Sequence, residues 1–150
     1  MGRQAGLNNT ADGNSFFGHF AGQANTTGRL NSFFGNGAGS SNTTGLGNSF
    51  FGDQAGALNV TGSRNAFFGA SAGRVNTATA NSFFGVTAGS NNTTGSNNSF
   101  FGDSAGGLHT TGDFNVFLGA QAGSNNTTGQ NNTITGFNSG EAVMFSLVPL

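Results

Sequence analysis

Two histidines, five carboxylates and four arginines are the ionisable chemistry available in 150 residues, with no cysteine and no tyrosine beside them. Acid–base or metal chemistry needs such groups to converge. His19 follows the glycine of a Phe-Phe-Gly motif, whereas His109 stands where equivalent segments carry asparagine, so the two form no ligand pair. Asp53 and Asp103 share one place, directly after a Phe-Phe-Gly motif, but lie three repeats apart. At the spacing of stacked strands that is about 14 Å, beyond the roughly 5–9.5 Å between paired catalytic carboxylates in glycosidases. The calcium-binding pattern GGxGxDxUx is absent, and no glycine-rich segment leads into a helix as a phosphate loop must. The chain is therefore expected to be no enzyme and to carry no cofactor and no metal.

A second set of residues repeats. Asn-x-Thr triplets place Asn25 and Thr27, Asn42 and Thr44, Asn59 and Thr61, Asn92 and Thr94, and Asn126 and Thr128 on one face of an extended segment. A regular threonine-bearing array resembles the face of an ice-binding solenoid. The same triplets are glycosylation sequons, able to carry glycans on successive repeats in a glycosylating secretory route. A third reading is that the array only reflects repetition of a good strand-and-turn sequence.

What must position these residues is a repeat. Aligning on Asn-Ser-Phe-Phe-Gly gives Asn14, Asn31, Asn48, Asn65, Asn81, Asn98, Asn115 and Asn132, spaced by 17 residues except for one interval of 16. Two segments, Leu7–Ala11 and Arg74–Ala78, lose one residue at the same place. The composition, with 28 Gly and only 6% charged residues, would otherwise suggest disorder, but a disordered polymer does not hold register. Seventeen residues with this much glycine suit one coil of a parallel β-solenoid rather than a helix pair. The expectation is an all-β fold of about eight coils over residues 1–136, each with two short strands, N-S-F-F and N-T-T. Gly18, Gly35, Gly52 and their equivalents close the first strand with φ > 0. Gln54, at a variable turn position two residues later, is expected to tolerate substitution. Asparagines stacked from coil to coil should form amide ladders, with His109 replacing one rung.

Adjacent strand residues point to opposite faces, so the Phe pair must split. One row is Phe16, Phe33, Phe50, Phe67, Phe83, Phe100 and Phe117; the other is Phe17, Phe34, Phe51, Phe68, Phe84 and Phe101, continued by Leu118. One row fills the coil beside the small alanines, and the other leaves it. Because the serine place accepts Ala66 and Val116, the second row is the one expected inside. An exposed row of rings approaches 1,000 Å² at about 150–250 Å² each, more than the roughly 300–600 Å² patch of a typical monomer. It implies burial against another copy of the chain. The competing reading is a bulge that turns both rings inward.

The run of Ser, an apolar pair, Gly, a small residue, Gly and Thr-Gly resembles the head repeats of YadA-like trimeric autotransporter adhesins, and repeats of bacterial and phage tail fibres, over residues 2–136. That resemblance implies three chains around one axis and an extracellular, cell-surface or virion-fibre location, with an adhesive or spacer role toward a carbohydrate or host surface. It departs from the family in its Phe pairs, where adhesin heads carry Val, Ile and Ala. A net charge of −1 argues against nucleic acid as a partner. No apolar run is long enough to span a membrane, and the first residues show no signal peptide. Residues 137–150 leave the repeat, and Val143, Met144, Phe145, Leu147 and Val148 mark them as a cap or a subunit-joining tail, the latter allowing the alternative of a glycan-bearing, self-assembling filament subunit stacked end to end.

Overall fold

The computed structural model describes residues 2–140 and is all-β, with no helix among them. Eight three-residue strands follow the repeat: β1 (Ser15–Phe17), β2 (Ser32–Phe34), β3 (Ser49–Phe51), β4 (Ala66–Phe68), β5 (Ser82–Phe84), β6 (Ser99–Phe101), β7 (Val116–Leu118) and β8 (Thr133–Thr135). They form one parallel sheet in sequence order. The register is exact between like residues, for example Ser49 on Ala66, Phe50 on Phe67 and Phe51 on Phe68. Each coil thus packs only on its neighbours, and the result is a β-solenoid of the expected period.

The strand alternation sorts the Phe pair. Phe33, Phe50, Phe67, Phe83, Phe100 and Phe117 are wholly buried and stack within the coil beside Ala38, Ala55, Ala72, Ala88, Ala105 and Ala122. Phe16 and Ile134 continue the stack at its ends, partly buried. This corrects the expectation that the second row lies inside: the first ring of each pair is interior, and serine and the second ring point out together. The reason is the alanine row, which leaves a ring-sized space opposite the middle residue of each strand. Smaller serine-place residues such as Ala66 fit the outer face equally well, so their apolarity carried no directional information.

After each strand the chain turns repeatedly. Ala55 donates to the Gly52 carbonyl, Ala57 to Gln54 and Asn59 to Gly56, each bond spanning three residues. The turns need positive φ at alternate places, 143° at Gly52, 55° at Gln54 and 57° at Gly56. At Gly52 a Cβ would come within 2.4 Å of the Gly69 carbonyl oxygen one coil away, and at Gly56 within 2.5 Å of the Phe50 ring. Glycine is thus required there twice over, by conformation and by space. Gln54 corrects a further expectation, because its place is a left-handed one, as are Ser71, Thr87, Ser104 and Gln121 in the same row. These side chains emerge on the surface, so no clash forces glycine and the sequence varies.

N-T-T is not a second strand. Thr26 and Thr27 form a bend, and both amides turn to the Thr43 carbonyl of the next coil. The two asparagine rows hold this corner from within, in different ways. In the first row, Asn48 accepts from the Asn65 backbone N–H at 3.0 Å and donates to the Gly62 carbonyl at 2.8 Å. It therefore ties amide to backbone rather than amide to amide. The second row is a true amide ladder: Asn42 donates to Asn25 Oδ1 at 2.7 Å, and Asn59 to Asn42 Oδ1 at 3.3 Å. Coil geometry continues through Asn138, whose N–H bonds the Ala120 carbonyl, and Ser139, which accepts from Gly123. It thus runs past residue 136, where the sequence motif ends. Of the residues 137–150 expected to cap or join, 141–150 lie outside the described residues.

Candidate functional site

Inward side chains account for the fold, so a site must come from rows that point out. The outer Phe row is the most regular of these. Phe17, Phe34, Phe51, Phe68, Phe84 and Phe101 stack with centroids 4.7–5.5 Å apart and ring planes within 10° of parallel. Phe34, Phe51, Phe68 and Phe84 half-bury one another, while Phe17 and Phe101 are 57% and 38% exposed. Leu118 extends the row at 51% exposed, and Thr135 ends it. Beside the rings on the same face runs a row of small side chains, Ser15, Ser32, Ser49, Ala66, Ser82 and Ser99, followed by Val116 and Thr133. Each ring thus stacks nearly parallel on the next, as in the side-chain ladders of in-register parallel sheets.

The Asn-x-Thr array divides instead of sharing a face. Asn25, Asn42, Asn59 and Asn92 are fully buried, and Asn126 is partly so, whereas Thr27, Thr44, Thr61, Thr94 and Thr128 are exposed. This corrects the expected joint array. The segment bends at the asparagine rather than running extended, so the alternation of a strand does not apply. Glycan attachment at the four buried amides would break the interior bonds just described. The preceding threonines use their hydroxyls on backbone: Thr26 donates to the Thr43 carbonyl at 3.1 Å and Thr93 to the Thr110 carbonyl at 3.0 Å.

The ionisable residues stay dispersed. His19 Nδ1 lies 3.3 Å from Asn36 Oδ1, and Asn36 donates to Asp53 at 2.8 Å, a surface ladder along the rod. His109 is fully buried, with Nδ1 2.8 Å from the Asn126 carbonyl and Nε2 2.9 Å from the Gly112 carbonyl. Among the described residues, no three metal-ligating side chains come together, and no helix is long and apolar enough to cross a membrane. Family models, curated proteins and solved structures give no match to this chain. The site therefore rests on its own geometry.

His109 also explains a defect in the ladder. Two buried amide oxygens, Asn59 Oδ1 and Asn92 Oδ1, have no hydrogen-bond partner. Each should accept from the next asparagine of its row. After Asn92 the next residue is His109, whose ring nitrogens face carbonyls instead. After Asn59 it is Asn76, which sits in a coil one residue short and donates to the Ala78 carbonyl at 3.0 Å. The sequence showed both irregularities, the substitution and the deletion, but not that each would leave one acceptor empty. It also paired the serine place with the second ring on one face, but placed that face inside the coil rather than outside.

Proposed function

We propose that the chain is a structural segment of an extracellular fibre or adhesin head that associates with copies of itself through the outer Phe face. One observation carries this reading. Six rings recur at one outward place in successive coils, where the fold of a single chain requires no ring. The outward place after the strand glycine, by contrast, varies freely: His19, Asn36, Asp53, Ala70, Val86, Asp103 and Ala120. A row of this length left in water forgoes burial at about 25 cal/mol per Å², and contact with another copy recovers it. The resemblance to YadA-like heads and tail-fibre repeats supports a cell-surface or virion location and a carbohydrate or host surface as target; the three-chain assembly it implies competes with a two-chain one. No enzymatic role is proposed.

Light scattering on the purified chain tests self-association. A particle mass at a multiple of 15.0 kDa is expected at micromolar concentration, and the double variant Phe51→Ser/Phe68→Ser should shift it to one chain. A monodisperse single chain in the unmodified protein would overturn the reading. Ice binding is a second reading, favoured by the exposed row Thr27, Thr44, Thr61, Thr94 and Thr128. Thermal hysteresis that is lost on replacing Thr44 and Thr61 with bulky residues would support it over self-association.

A further inference from the structure

Resting on that self-association, we infer that the outer face pairs two parallel chains about a two-fold axis running along the rod, with each chain's rings seated on the other's serines. The face consists of two rows side by side, one large (Phe51 and its equivalents) and one small (Ser49 and its equivalents), two residues apart on the same side of each strand. Successive rings stand 4.7–5.5 Å apart and stack on one another, so the face offers one ring per coil at a regular axial step. A partner that fills it must present one side chain per coil at the same axial step, and a second copy of this chain does so. Large rows set against small rows give the interdigitated dry packing of paired β-sheets.

Symmetry then decides between arrangements. Rotation by a half-turn about the rod direction exchanges the two rows, so Phe51 of one chain lies over Ser49 of the other in the same coil. Rotation about the strand direction keeps the rows in place and inverts the rod, setting ring on ring and leaving a serine-lined gap. A three-fold axis along the rod brings only one row to the centre and leaves the other at an open wedge. The two-fold parallel arrangement alone covers both rows, and it is isologous, so it closes without propagating.

The chain has no cysteine, so single nitroxide labels can be placed on the full protein at Thr27→Cys, Thr61→Cys and Thr128→Cys, all exposed outward positions. Parallel, in-register pairing predicts the same interchain distance at all three. Antiparallel pairing predicts a short distance at Thr61 and end labels offset along the rod by about 29 Å, six coil steps. Scattering should give twice 15.0 kDa. Filling the small row with Ser49→Leu/Ser82→Leu should raise the dimer dissociation constant about tenfold or more, with the far-ultraviolet spectrum and urea midpoint of the single chain retained. A trimer mass, unequal label distances, or undiminished dimerisation of the leucine variant would each overturn the two-fold parallel packing while leaving self-association standing. A monomer would overturn both.

Discussion

Replacing Asn48 with alanine tests the backbone ties that hold one coil to the next. Asn48 is fully buried. Its Oδ1 accepts from Asn65 N–H at 3.0 Å, and its Nδ2 donates to the Gly62 carbonyl at 2.8 Å. Alanine leaves the Asn65 N–H buried without an acceptor, at a cost of about 1–3 kcal/mol. The Gly62 carbonyl keeps a donor, Asn59 Nδ2 at 2.9 Å, so its loss is minor. A cavity the size of the missing amide adds about 1 kcal/mol. The expected loss is therefore about 2–4 kcal/mol, read as a lower urea midpoint by circular dichroism, with faster hydrogen exchange at Asn65. Asn14→Ala, at a partly buried rung, should cost less. Asn48→Asp keeps the acceptor and the shape but turns an oxygen toward the Gly62 carbonyl, so it should be worse than alanine at neutral pH. It should recover as pH falls, because the protonated carboxyl can donate to that carbonyl and the folded state then binds the extra proton. An Asn48→Ala protein within about 0.5 kcal/mol of the parent, the scatter of ordinary surface changes, would refute the reasoning.

Gly52→Ala should be severely destabilising, since its Cβ meets the Gly69 carbonyl at 2.4 Å, whereas Gly47→Ala, at φ 63° with nothing within 4 Å, should cost only about 1–2 kcal/mol for the left-handed backbone. Equal thermal midpoints for the two would show that the contact between coils is not what requires glycine. Ala80→Gly, at φ 59°, should raise stability by up to about 1 kcal/mol in denaturant titration, the gain in native backbone exceeding the added unfolded-state entropy; a clear loss would contradict the left-handed assignment. His109→Asn should restore the ladder by offering an amide to the empty Asn92 Oδ1, and a crystal structure of the variant with residue 109 turned away from Asn92 would sink that explanation.

The period, the parallel sheet, the split of the Phe pair and the glycine closing each strand were legible in the sequence because each leaves the same residue at the same place in every coil. What was not legible falls where identity varies or where two packings share one pattern. The left-handed places at Gln54 and Arg64 vary from coil to coil, as Gln54, Ser71 and Thr87 do, so nothing in their spelling marked the shared positive φ of 55°, 57° and 52°. The inside and outside rows are both phenylalanine except at their last places, and only the position of the alanine row in three dimensions decides between them. The Asn-x-Thr asparagines read as sharing the threonines' outward face because the triplet was read as an extended strand, in which alternate residues point the same way. Here Asn25, Asn42 and Asn59 stand in for the backbone partners that a missing second strand would have supplied.

The shortened coil shows where the chain accepts a change of length. Arg74–Ala78 lacks one residue, yet the strands on either side keep Phe67 on Phe83. Asn65 finds the Ala78 carbonyl at 2.8 Å, as Asn48 finds that of Gly62 at 2.8 Å. The disturbance stops at one unpartnered amide oxygen, Asn59 Oδ1. The threonine corner is thus a joint separate from the ring stack, and it is repeated once per coil along one edge of the rod. Peptides spliced there would project from a common line at intervals of about 4.8 Å, a graduated rule on which spacing between displayed groups is chosen by counting coils.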